Sequence, residues 1–127
     1  GQVVGVFDWE MSALGDPLVD LGILLCYWTH AAAAGLKSST KDSLATVTDR
    51  AGWFTREEIV EHYAAASGRD LSGLAFYEVF AVFKLAVVAQ QIFYRYRRGQ
   101  TGDPRFASLG ERVAQLARVA ATLAARA

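Results

Sequence analysis

Four carboxylates, Asp8, Glu10, Asp16 and Asp20, fall in the first twenty residues of a 127-residue chain, and no lysine or arginine stands among the first 36 positions. Hard oxygen ligands at this density suit Mg²⁺, which binds one or two carboxylates and completes its shell with water and substrate phosphates. The run VVGVF directly before Asp8 is β-branched and aromatic, without helical period, and reads as a short buried strand. A carboxylate at the end of such a strand is costly to desolvate unless it meets a cation. No cap or turn accounts for Asp8. Asp16 has a second explanation as a helix N-cap ahead of Pro17, and Asp20 as the partner of a backbone group or an arginine, so these two stay open between structural support and chemistry.

The opposite end is basic. Residues 95–126 hold seven arginines against Asp103 and Glu111. Arg95, Arg97 and Arg98 close a helical stretch, where the C-terminal dipole favours them; the alternative is an anion or substrate-phosphate site. Lys84 lies inside the most apolar stretch, where a charge must find a partner, so it reads as a structural ion pair or as a contact to a substrate phosphate.

Other reactive types are explained by packing. Cys26 and His30 are four apart, but the surrounding LGILLCYW makes Cys26 a buried, inert thiol. His62 is solitary, no zinc-ligand spacing occurs, and Trp9, Trp28 and Trp53 read as packing residues.

The elements that position these residues are mostly helical. Asp16-Pro17 and Asp103-Pro104 each combine an N-cap carboxylate with proline at the first helical position. Thr55 with Glu58 three residues on is a capping box, and Phe54 against Ile59 a hydrophobic staple. These signals predict helices over 17–34, 55–67, 73–98 and 104–125, with 35–54 a loop. The 73–98 helix is apolar on nearly every side and should lie at the centre, surrounded by the others. The strand before Asp8 cannot satisfy its own backbone hydrogen bonds and needs a partner from another copy or from a longer protein.

The segment Asp8-Trp9-Glu10, Leu14-Gly15-Asp16-Pro17 and Asp20-Leu21 resembles the stretch after the catalytic loop in the aminoglycoside phosphotransferase and choline kinase-like family, relatives of the protein kinases. The likeness continues through Phe83-Lys84-Leu85-Ala86 to Gly99-Gln100, closest to the branch also found fused to acyl-CoA dehydrogenases. It implies a mainly α fold, the helical C-terminal subdomain of a protein kinase-like phosphotransferase with a short N-terminal strand. Residues 1–10 would form the strand and metal-site segment and 11–127 the helical subdomain of a single domain. It implies that Asp8 holds the Mg²⁺ bridging the phosphates of ATP, that Glu10 lies near the metal, and that Asp20, with Asp16, supports the catalytic loop. The catalytic base and the nucleotide lobe are expected upstream of Gly1, so the chain alone is expected to be inactive and to hold Mg-nucleotide weakly. The function implied is ATP-dependent phosphorylation of a hydroxyl on a small molecule; the alternative is a non-catalytic helical interaction module or a degenerate kinase-like fragment.

Composition bounds the partners. Thirteen basic and thirteen acidic residues cancel, giving no overall bias toward nucleic acid or an anionic membrane. With 53% hydrophobic residues the chain is long enough to bury a core. One cysteine and no secretory signal fit a cytoplasmic protein. The expected partners are a small-molecule substrate and either the remainder of the kinase fold or a second copy.

Overall fold

The computed structural model describes residues 2–28, 48 and 51–126, with the side chain of Met11 left aside. Among the described residues four α-helices carry the fold: α1 (Leu18–Trp28), α2 (Arg56–Ser67), α3 (Leu74–Arg97) and α4 (Leu109–Ala124). Two short 3-10 turns, Trp9–Met11 and Pro104–Ser108, precede α1 and α4. The protein is mainly helical, as the sequence implies.

Local chemistry sets the helix starts. At α2 the Thr55 hydroxyl accepts from the Glu58 N–H at 3.1 Å while the Thr55 N–H donates to the Glu58 carboxylate at 2.7 Å, which completes the capping box. The staple does not form in the expected way. Phe54 stays half exposed with its ring 4.6 Å from that of His62, while Ile59 packs with Leu18, Leu21 and Leu25. Asp103 caps ahead of Pro104 by accepting the Arg105 N–H at 2.9 Å, but the turn it starts is 3-10, and α-geometry begins only at Leu109.

α3 is the hub. It packs against α1 and α4, and the core along it joins Cys26 of α1, Ala81, Val82 and Ala86 of α3, and Leu116, Val119 and Ala120 of α4. A second cluster seats α2 on α1 through Ile59. Two glycines set the spacing of these layers. A Cβ at Gly22 would lie 2.6 Å from the Tyr77 carbonyl oxygen, and one at Gly110 would lie 2.8 Å from the Phe93 ring, so α1 and α4 both approach α3 where a side chain is missing.

Two expectations need correction, and a third lies mostly outside the described residues. No strand forms among the described residues: residues 2–8 are irregular and exposed, with Val4 98% open. A single strand has no neighbour among the described residues for its N–H and C=O groups, and here the segment stays irregular and open to solvent. α3 is central but not surrounded, because the side bearing Phe76, Phe80, Phe83 and Val87 is bare. The first helix is described only to Trp28, and most of the expected 35–54 loop and His30 lie outside the described residues.

Candidate functional site

Asp8 is the single non-glycine residue with positive φ among the described residues, at φ 72° and ψ 43°. A left-handed residue costs about 1–2 kcal/mol for an L-amino acid, although aspartate tolerates it better than most. The turn around it is closed by the Trp9 indole N–H donating to the Val6 carbonyl at 2.8 Å and by the Ser12 N–H donating to the Trp9 carbonyl at 2.9 Å. The Asp8 carboxylate takes no part in that closure. It caps nothing, has no hydrogen bond or ion pair among the described residues, and is exposed, as is Glu10 two residues on. A strained backbone that presents an unused carboxylate is the kind of outlier that points to a functional role rather than to packing. Its chemistry suits one hard ligand of a Mg²⁺ ion; no group of three or more His, Cys, Asp or Glu among the described residues forms a complete metal cage.

Asp16 has a different occupation. Its Oδ1 accepts the Leu18 N–H at 2.9 Å, starting α1, and its Oδ2 accepts the Tyr77 hydroxyl at 2.7 Å, tying that start to α3. The Leu18 N–H first and the Tyr77 hydroxyl second hold its carboxyl below the ordinary aspartate range, and the same carboxylate pushes the Tyr77 phenol up. Asp20 lies in the first turn of α1, exposed, where its charge faces the positive end of the helix dipole, and its side chain has no partner among the described residues.

The cations do not gather into one cluster. Lys84 is exposed and carries no ion pair among the described residues, which corrects the expectation of a structural ion pair and leaves the contact to a substrate phosphate untouched; it lies beside the bare side of α3, open to solvent. Arg97 stands over the Phe93 ring at 5.9 Å and Arg98 over the Tyr94 ring at 5.6 Å. Arg95 alone of the three lines a groove of about 600 Å³ between α3 and α4, with Gln90, Gln91 and Gln100 as its polar groups and Phe83, Val87 and Val113 among its apolar walls. Neither Lys84 nor the arginines make an ion pair with Asp8 or Glu10 among the described residues.

Two features escaped the sequence. Arg56, at the start of α2, donates to the Leu25 carbonyl of α1 and pairs with Glu78 of α3, joining three helices with both side chains largely buried. The spacing of 22 between Arg56 and Glu78 gives no local signal for this. The groove was legible in principle, since it follows the stripe of large side chains along α3. Cys26 is buried, and burial pushes its thiol up, so it is inert as expected; the pairing with His30 lies outside the described residues.

The model of the phosphotransferase enzyme family matches residues 1–77, more than half of the chain and the whole of the Asp8 to Tyr77 frame. The chain belongs to this family. As a phosphotransferase family member it is 29% identical over 106 residues to acyl-CoA dehydrogenase family member 11 of Mus musculus, covering 80% of this chain. It is 26% identical over 121 residues to acyl-CoA dehydrogenase family member 10 of Mus musculus, covering 94% of the chain, and 26% identical over 113 residues to the probable acyl-CoA dehydrogenase IBR3 of Arabidopsis thaliana, covering 87%. The matched stretch makes up only 11–13% of the length of these relatives. No solved structure matches it significantly. The phosphotransferase branch related to acyl-CoA dehydrogenase fusions is thus the one to which the sequence motifs pointed.

Proposed function

We propose that this chain is the C-terminal part of an ATP-dependent kinase that phosphorylates a hydroxyl of a small molecule, with Asp8 as a ligand of the metal. The observation that carries the reading is Asp8 itself: a left-handed residue whose exposed carboxylate does nothing for the fold, inside the stretch matched by the phosphotransferase family. Glu10 lies beside it, and Asp20 braces the catalytic loop of the complete enzyme. Asp16 supports the same loop indirectly, by fixing the start of α1 against Tyr77.

In the reaction, the bond from the γ-phosphorus to the β,γ-bridging oxygen of ATP breaks, with its electron pair leaving on ADP. The substrate oxygen forms the new bond to phosphorus, and its proton passes to a base expected, from the family likeness, upstream of Gly1. Mg²⁺, when bound, supplies positive charge across the nucleotide phosphates. The contribution of this chain is to present Asp8 from a tight, locally closed turn, with its carboxylate free to take the metal. Arg95, at the polar end of the groove, is the cation available to an anionic part of the substrate. Cytoplasmic location and the absence of nucleic-acid and membrane partners belong to the same reading, which neutral overall charge and a lone buried thiol support.

The test is Asp8→Asn in the complete enzyme. Phosphoryl transfer should fall by about 10²-fold or more, with the melting temperature unchanged because the carboxylate bonds to no group among the described residues. Retained activity, or activity lost only in step with unfolding, would refute the assignment.

A further inference from the structure

α3 buries two of its sides and leaves a third bare. Phe76, Phe80, Phe83, Val87, Gln90 and Tyr94 are all exposed, Phe76 to 65% and Phe83 to 57%, and they succeed one another at steps of four, three, four, three and four. Alternating steps of three and four keep side chains on one narrow stripe, the geometry along which a second helix lays its own side chains. From Phe76 to Tyr94 the stripe is about 27 Å long at 1.5 Å per residue. A soluble surface rarely leaves so long an apolar strip uncovered. In its C-terminal half the strip deepens into the 600 Å³ groove against Val113 and Ala117 of α4, a concave seat rather than a flat patch.

The charges beside the strip select the occupant. Lys84 flanks it, exposed, and its side chain has no hydrogen bond, ion pair or ring contact among the described residues, whereas Arg95 stands at the polar end of the groove, which the occupant leaves open to the substrate. The sole carboxylate on α3, Glu78, is engaged with Arg56. Two copies of α3 set face to face and antiparallel would bring their Lys84 side chains to one edge, which disfavours that self-pairing. α3 is also long and apolar enough to cross a membrane by length and composition, but it is held between α1 and α4, and a narrow seam with a concave end fits a helix better than a lipid surface.

We infer that this strip is the dock for an amphipathic helix with carboxylates along its flank, supplied by the same polypeptide from outside these 127 residues. The relatives leave ample chain to provide it, since the matched stretch is 11–13% of their length. The inference rests on the chain being part of a longer protein and not on phosphoryl transfer, so its test needs neither nucleotide nor activity.

The experiment is zero-length carbodiimide coupling of the complete polypeptide, read by mass spectrometry, together with hydroxyl-radical footprinting of Phe76, Phe83 and Tyr94 in the complete protein and in the 127-residue chain. The expected result is coupling of Lys84 to an aspartate or glutamate elsewhere in the same polypeptide, with ring labelling several-fold lower in the complete protein. Equal labelling in both would overturn the inference. Coupling of Lys84 to an isotope-labelled second copy would replace it with a dimer, and protection arising only with phosphatidylserine vesicles would replace it with a lipid surface. Protected rings with Lys84 uncoupled would refute the acidic flank.

Discussion

The Tyr77 hydroxyl donates to Asp16 Oδ2 at 2.7 Å across 61 residues of sequence, and the other oxygen of the same carboxylate holds the first turn of α1. One side chain thus caps a helix and fastens it to the hub. The turn that carries Asp8 precedes this joint along the chain and is itself exposed.

Removing the Tyr77 hydroxyl should destabilise the chain in a pH-dependent way. The folded Asp16 carboxyl is held below its ordinary value of 3.8 and the folded Tyr77 phenol above its ordinary value of 10.0. A lowered aspartate contributes stability that is present above its unfolded value and is lost as pH falls through the folded one; a raised tyrosine contributes stability that is present below its unfolded value and is lost as pH rises through the folded one. Tyr77→Phe should therefore lower the Tm most between about pH 4 and pH 10, with the gap to the parent chain closing at both extremes. A gap independent of pH would mean that the bond is not made by the ionised carboxylate.

The two close approaches to α3 should respond differently to a methyl group. Alanine in place of glycine in a helix gains about 1 kcal/mol from propensity alone. At Gly22 the new Cβ would meet the backbone of Tyr77 at 2.6 Å, which cannot yield without moving a helix. Gly22→Ala should lose about 1–3 kcal/mol net. At Gly110 the obstacle is the Phe93 ring, which can turn aside, so Gly110→Ala should fall within about 1 kcal/mol of the parent. Denaturant titration of both variants separates the two cases.

Much of this was legible beforehand, and the reason is local chemistry. Thr55 with Glu58, and Asp103 with Pro104, act on groups two or three residues away, so their caps could be read from the sequence. α4 starts five residues later than expected because the cap at Asp103 with Pro104 opens a 3-10 turn, Pro104–Ser108, of the kind frequent at helix N-termini. The surroundings of α3 were not legible: apolar residues all round a helix state that it needs cover, but not whether this stretch of chain supplies it. Asp8 was singled out by type and by the absence of any other explanation, and the structure adds its left-handed backbone, which no sequence pattern announces. The Arg56–Glu78 contact was invisible because it joins residues brought together only by the packing of α2 and α3 about α1.

That contact should matter more than its surface counterparts. Arg56 and Glu78 retain 16% and 26% side-chain exposure, and the guanidinium also satisfies the Leu25 carbonyl near the end of α1. Arg56→Ala would leave both acceptors half-buried and unmatched, at about 1–3 kcal/mol. Arg56→Lys should recover only part, because an ammonium lacks the planar fork that reaches two acceptors at once. By contrast, Arg105→Ala, which breaks the exposed pair with Asp103, should change stability by less than about 1 kcal/mol. Equal losses at the two sites would show that the three-helix contact is not formed in solution.

The arginines at the end of α3 should divide by what each one touches. Arg97 and Arg98 stand over the rings of Phe93 and Tyr94, and Phe93 is also the ring that faces Gly110 of α4. Arg97→Gln should lower stability by about 0.5–1 kcal/mol through the lost cation–π contact and leave substrate kinetics alone. Arg95 has no ring or carboxylate to hold among the described residues and lines the groove beside Gln90, Gln91 and Gln100. In the complete enzyme, Arg95→Gln should therefore raise the KM for an anionic substrate with kcat little changed, by a factor corresponding to about 1–3 kcal/mol for a charge-assisted hydrogen bond. The effect should shrink as salt is added, since an exposed guanidinium is screened over about 10 Å at 0.1 M. Steady-state kinetics of Arg95→Gln and Arg97→Gln at low and high ionic strength decide it. A KM raised equally by both variants would point to the whole basic end rather than to the groove, and an unchanged KM for Arg95→Gln would return that residue to a role at the negative end of the α3 dipole.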